Sequence, residues 1–145
     1  MGKIVVKFGG SSLSDAAQFR KVRDIIRMDP RRCYVVPSAP GRRFPEDEKI
    51  TDLLYRTYRA RKNGENIEPI FQRVRERYLS IAEELGLSFP IDRELDEVDR
   101  LIREGASEDF CASRGEYLNG LLLADYLGFA FLDPKDLVFF NDDGT

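Results

Sequence analysis

Apolar residues recur along this chain in two rhythms, short unbroken runs near the start and spacings of three and four further on. The run Ile4-Val5-Val6, carried through Lys7 to Phe8 and halted by Gly9-Gly10, has the length and β-branched content of a buried strand entering a turn. Ser14 or Asp15 can cap a helix over residues 16 to 28, which Asp29-Pro30 stops. Cys33-Tyr34-Val35-Val36 predicts a second strand, broken by Pro37-Ser38-Ala39-Pro40-Gly41. Strand, helix and strand in this order make a βαβ unit with a parallel pair and a right-handed crossover.

Beyond it, the polar stretch Gly41 to Lys49 predicts a mobile loop. Ile50, Leu53, Leu54 and Tyr58 share one face of a helix over about 48 to 62, ended by Asn63-Gly64. Ile67, Ile70, Phe71, Val74, Tyr78, Ile81 and Leu85 mark a longer helix over about 66 to 86. Leu95, Val98, Leu101 and Ile102 give another, closed by Gly105. Ser107 caps a last helix whose buried side includes Leu118, Leu121, Leu122 and Leu127, and Gly128 ends it. Phe129 to Leu132 then predicts a third strand, and Leu137 to Phe140 a short fourth one.

With 145 residues, of which 42% are hydrophobic and 34% charged, the chain can bury one real core. A net charge of -3 gives no overall attraction to nucleic acid or anionic membrane, so neither is an expected partner. The basic stretch Arg56 to Arg77 and the acidic stretch Asp92 to Asp109 are expected to be solvated helix faces. Cys33 and Cys111 have no metal or redox spacing and are expected to be reduced packing residues. No apolar run has membrane-spanning length and the N-terminus lacks a signal-peptide pattern, so a cytoplasmic setting is expected. Histidine is absent, which removes chemistry that depends on it, and no metal ligands are assigned.

Polar groups break the apolar pattern at three places. Lys7 ends an apolar strand beside Gly9, Gly10, Ser11 and Ser12. A lysine there either reaches solvent or meets an anion, and glycines followed by a helix N-terminus suit phosphate. It is no Walker loop, because the lysine precedes the glycines. Ser38, with Thr51 beyond the loop, lies at the carboxyl end of a parallel strand, where open α/β sheets bind ligands, although serines there also serve as plain turn residues. Glu116, set among Gly115, Asn119 and Gly120, is a partly buried carboxylate in need of a cation, either Arg114 or the ammonium of a ligand.

"KFGGSS", "VVPSAPG", "KITDLL" and "SRGEYLNGLLLADYLG" occur in that order along the whole chain. Together they resemble the aspartate kinases of the amino acid kinase family. The resemblance implies an α/β fold, a three-layer αβα sandwich of the carbamate kinase-like type with only the N-terminal half of its sheet present. It implies phosphorylation of the side-chain carboxylate of L-aspartate with ATP and Mg2+, the first step toward lysine, threonine and methionine. Lys7 would be catalytic and would meet the ATP phosphates with Gly9, Gly10 and Ser11. Ser38 and Thr51 would hold aspartate, and Glu116 would pair with its ammonium. Positioning and charge stabilisation are the main needs of phosphoryl transfer, which agrees with a lysine and oriented N–H groups.

Two departures shape the expectation. The loop from Gly41 to Lys49 is longer and more charged than the family's usual small-residue turn. The nucleotide-binding half and the regulatory ACT domains should follow residue 145, so residues 1–145 are expected to be the N-terminal portion of a catalytic domain, inactive alone. An incomplete sheet exposes an edge, which favours a homo-oligomer. The competing expectations are a kinase for glutamate, acetylglutamate or a nucleoside monophosphate, and a noncatalytic module that binds a small amino acid or a partner.

Overall fold

The computed structural model describes residues 2–136, and the strand expected over Leu137 to Phe140 lies outside the described residues. Strand β1 (Ile4–Phe8) and strand β2 (Arg32–Pro37) pair in parallel, with helix α1 (Ala16–Arg27) as the crossover. Asp15 caps α1, its carboxylate accepting from the Gln18 N–H at 3.0 Å. The register sets Val5 opposite Tyr34 and Lys7 opposite Val36. It shifts between Ile4 and Val5, which leaves Cys33 as an extra residue with its side chain exposed. Cys33 is therefore not the packing residue its neighbours suggested, whereas Cys111 is buried.

The strand pattern is half-buried instead of fully buried. Val6, Phe8 and Val35 pack against the core, while Val5, Tyr34 and Val36 are 66%, 46% and 47% exposed on the opposite face of the sheet. Helices α2 (Ile50–Lys62), α3 (Glu68–Glu84), α4 (Ile91–Arg103) and α5 (Glu108–Leu127) follow in chain order. All five helices feed one core: Phe19 and Val22 from α1, Leu54 from α2, Phe71 and Tyr78 from α3, Leu95 and Ile102 from α4, Leu118 and Leu122 from α5. Spacings of three and four put these side chains on the inner stripe of each helix. Helix α5 lies against both α2 and β2, which brings its middle turns to the carboxyl end of the sheet.

After α5, Gly128 takes a left-handed conformation at φ 72°, as a helix-ending glycine does. The third strand expected over Phe129 to Leu132 does not form, since the sheet of the described residues holds β1 and β2 alone. A strand needs a ladder partner, and this segment is instead placed by a side chain. The Phe131 and Tyr117 rings pack in a T-shaped pair at a centroid distance of 5.6 Å.

Candidate functional site

The carboxyl ends of β1 and β2 open into loops that cross at close range. The Gly41 N–H donates to the Gly10 carbonyl at 2.8 Å, and the Ser38 N–H to the Phe8 carbonyl at 3.0 Å. A Cβ on Gly41 would lie 2.7 Å from the Gly10 carbonyl carbon, and one on Gly10 2.9 Å from the Ala39 carbonyl oxygen. Neither glycine has a positive φ, so close backbone approach is what requires them.

Between Gly9 and α1 lies a 3-10 turn, Gly10–Leu13, which the apolar pattern does not signal. The amide groups of Gly10 and Ser11 open this turn and find no hydrogen-bond partner among the described residues. The N-terminus of α1 itself is already met by Asp15, so donors for an anion come from the 3-10 turn and not from the helix.

A cavity of about 560 Å³ is lined by Gly10, Ser11, Ser38, Gly41, Thr51 and Glu116, together with Ala39, Pro40, Arg42 and Lys49. Five of the expected site residues thus converge: Gly10 and Ser11 from the phosphate-type loop, and Ser38, Thr51 and Glu116 from the other side. Lys7 and Gly9 do not line this cavity. Lys7 is exposed at the end of β1, on the face that carries Val5.

Glu116 is exposed, not partly buried, and forms no ion pair among the described residues. Arg114 is not its partner. That guanidinium lies over the rings of Phe110 and Tyr117, at 4.4 and 4.6 Å from their centroids, and contacts the Ser113 hydroxyl. The carboxylate is therefore left to face the cavity.

The residues around Glu116 that weaken α5 as a helix have a positional reason. A Cβ on Gly115 would stand 2.8 Å from the Ala39 Cβ, so glycine lets α5 press on the turn after Ser38. Asn119, fully buried, donates its side-chain N–H to the Ser38 carbonyl at 2.7 Å. The buried Tyr78 hydroxyl donates to the Gly115 carbonyl at 2.6 Å, and burial pushes its pKa well above the usual tyrosine range.

Sequence reasoning missed the group that orders the long loop. Arg77 of α3 is 4% exposed and donates to the carbonyls of Gly41 at 2.7 Å, Ser14 at 3.3 Å and Glu48 at 3.1 Å, and to Asp47 Oδ2 at 2.7 Å. Asp47 also accepts from Arg43 Nε at 2.7 Å and from the Arg43 N–H at 3.1 Å. The Arg43 side-chain hydrogen bond holds the Asp47 carboxyl well below the usual carboxylate range, while burial pulls the Arg77 guanidinium below its own. Glu48 pairs with Arg56 and Arg73. The segment Gly41 to Lys49 is thus tied to α2, α3 and the start of α1, where its composition alone predicts a mobile loop.

Arg77 also departs from the solvated face expected for Arg56 to Arg77. Arg73 on the same helix fits that expectation better, its side chain 46% exposed where it pairs with Glu48. Such surface pairs contribute about 0 to 1 kcal/mol each, whereas breaking a buried pair removes about 3 to 5 kcal/mol. The one buried pair therefore dominates how this loop is held.

Comparison with known proteins agrees with this geometry. The family model described as "Amino acid kinase family" matches residues 2–144. Aspartokinase 3 of Bacillus subtilis is 37% identical over 154 aligned positions, covering 97% of this chain and 34% of that protein. The aspartokinase of Chlamydia trachomatis is 34% identical over 127 positions, covering 85% of this chain and 27% of its own length. The crystal structure of Clostridium acetobutylicum aspartate kinase superposes with a TM-score of 0.96 at 46% identity, over 99% of this chain and 33% of that one. E. coli aspartokinase III, in complex with aspartate and ADP, gives a TM-score of 0.70 at 27% identity, over 87% of this chain and 29% of that one. The chain spans about a third of the length of these relatives. With its βαβ unit, its five helices and its matched residues 2–144, the chain belongs to the amino acid kinase family.

Proposed function

We propose that this chain forms the acceptor side of an ATP-dependent aspartate kinase site, the side that takes L-aspartate and the first contacts to the nucleotide phosphates. The observation that carries the reading is the single cavity joining Gly10 and Ser11 to Ser38, Thr51 and Glu116. The unpartnered amides of Gly10 and Ser11, with open space beside Gly9, fit a phosphate group. Lys7, one strand end away, would supply positive charge to the same group, and Glu116 would receive the ammonium of aspartate. Hydroxyls of Ser38 and Thr51 would orient the carboxylate that accepts the phosphoryl group. ATP supplies the phosphoryl group in this reaction.

Mg2+ in phosphoryl transfer is held largely by the phosphates with one or two carboxylates, and no residue of this chain is assigned to it. Among the described residues no group of three or more His, Cys, Asp or Glu could bind a metal ion, and no step is assigned to it. A cytoplasmic enzyme of amino acid biosynthesis is part of the same reading, and no described helix is long and apolar enough to cross a membrane. The open face with Val5, Tyr34 and Val36 supports self-association as part of the same reading.

Because the chain covers about a third of its relatives, it is proposed to bind aspartate without completing the reaction. Calorimetric titration of the purified chain with L-aspartate tests the first part: heat of binding that Glu116→Gln removes is expected, and its absence overturns the reading. Trapping aspartyl phosphate with hydroxylamine tests the second. No turnover is expected, and a rate in the ordinary enzyme range of about 1 to 10³ s⁻¹ would overturn the view that the chain is incomplete as a catalyst.

A further inference from the structure

Around the loop Gly41–Lys49, most cations already have a carboxylate. Arg43 and Arg77 share Asp47, and Arg56 and Arg73 share Glu48. Arg42 and Lys49, at the two ends of the loop, are exposed and form no ion pair among the described residues. They are also the two cations that line the cavity with Glu116. The loop therefore spends Asp47 and Glu48 on its own anchorage, leaves Glu46 exposed outside the cavity lining, and presents a cation at each end to the cavity.

We infer that Arg42 and Lys49 form a carboxylate-recognising pair that selects an amino dicarboxylic acid over amino acids with one carboxylate. The lining carries two cations and one carboxylate, the opposite of a ligand with one ammonium and two carboxylates. A guanidinium can grip a carboxylate through two parallel hydrogen bonds, and the Lys49 ammonium adds a point charge. Neutralising only one end of such a ligand would leave its other carboxylate desolvated without a partner. The buried Arg77–Asp47 pair keeps the loop in place, so the two cations are presented without much ordering on binding.

This inference deepens the aspartate reading and rests on it for the ligand class, but the two fail differently. The test is calorimetric titration of the whole purified chain with L-aspartate and with succinate, a dicarboxylate that lacks the ammonium. The proteins compared are wild type, the double variant Arg42→Gln/Lys49→Gln, and Glu116→Gln. All three positions are exposed, so the variants should fold, and circular dichroism verifies it.

The double variant is expected to weaken both ligands by about 20-fold or more, from roughly tenfold for each charged hydrogen bond weakened by partial exposure. Glu116→Gln is expected to weaken aspartate and to spare succinate. Aspartate binding that needs Glu116 but is unchanged in the double variant overturns the cation pair and leaves the aspartate reading intact. Succinate binding that needs the cation pair, with no aspartate binding, upholds the pair and overturns the aspartate reading. Binding of neither ligand to wild type overturns both.

Discussion

The charged loop Gly41–Lys49 and the apolar run Phe129–Leu132 are held in opposite ways. The loop has few apolar residues, yet Asp47 is buried within it and Arg77 reaches into it from α3 with four hydrogen bonds. The run is all apolar, yet Phe129 and Leu132 are 38% and 62% exposed and no strand among the described residues pairs with it. Order in this molecule follows the partners that a segment meets, and composition decides only which kind of partner it needs. A polar loop with a buried counter-charge is fixed, and an apolar segment with no strand beside it among the described residues is anchored by one ring and one backbone hydrogen bond.

Removing the loop's partner should have the largest effect. Arg77→Met strips the Gly41, Ser14 and Glu48 carbonyls of a donor and leaves Asp47 with Arg43 alone. A loss of about 3 kcal/mol is expected in urea unfolding, the lower end for a broken buried pair because Arg43 stays. The pH dependence has a definite sign. The Asp47 carboxyl is depressed in the folded chain, so its contribution is full above its unfolded pKa and fades as pH falls below it. Wild type should therefore lose stability below about pH 4, and Asp47→Asn should show a shallower decline. An Arg77→Met chain as stable as wild type would make the loop no better anchored than the run.

A smaller effect is expected where the loop crosses the other strand end. Gly41→Ala would push a methyl to 2.7 Å from the Gly10 carbonyl carbon, with rigid backbone on both sides. Destabilisation of about 1 to 3 kcal/mol should follow. Gly9→Ala is the control, since nothing lies within 4 Å of its Cβ position and its φ is -74°. That change should be neutral or mildly stabilising. Equal losses at both positions would mean that close approach is not why Gly41 is glycine.

Much of this was legible in the residues themselves. The βαβ start, the four later helices and their stops follow from apolar spacing and capping residues, and five of the seven named site residues share one cavity. Legible too was the oddness of Gly115, Asn119 and Gly120 within α5, though not its cause, because each answers to a residue far away in sequence: Ala39, the Ser38 carbonyl and the Phe131 ring. Arg77 was hidden for a related reason. Three residues after Val74 and four before Ile81, it borders the apolar stripe of α3, but its partner Asp47, 30 residues earlier, leaves no mark in the helix pattern. The exposure of Cys33 was equally illegible, since a register shift between two strands leaves no mark in either one.

The smallest expected effect lies in the run itself. Phe131 forms a T-shaped pair with Tyr117, and one of its ring carbons lies 3.0 Å from where a Cβ of Gly120 would stand. Its neighbours Phe129 and Leu132 are substantially exposed, so apart from the Phe129 N–H bond to the Ala124 carbonyl few contacts hold the segment to α5. Phe131→Ala should remove the aromatic pair and part of its burial, about 1 kcal/mol in urea unfolding. Cleavage by chymotrypsin near Phe129 should rise at the same time, because local opening then has only the Phe129 N–H bond to the Ala124 carbonyl, 2.9 Å long, to break. If Phe131→Ala instead destabilised the chain as much as Arg77→Met, the apolar run would be a second anchor on the scale of the buried ion pair. The contrast between the two segments would then be one of chemistry alone, not of strength.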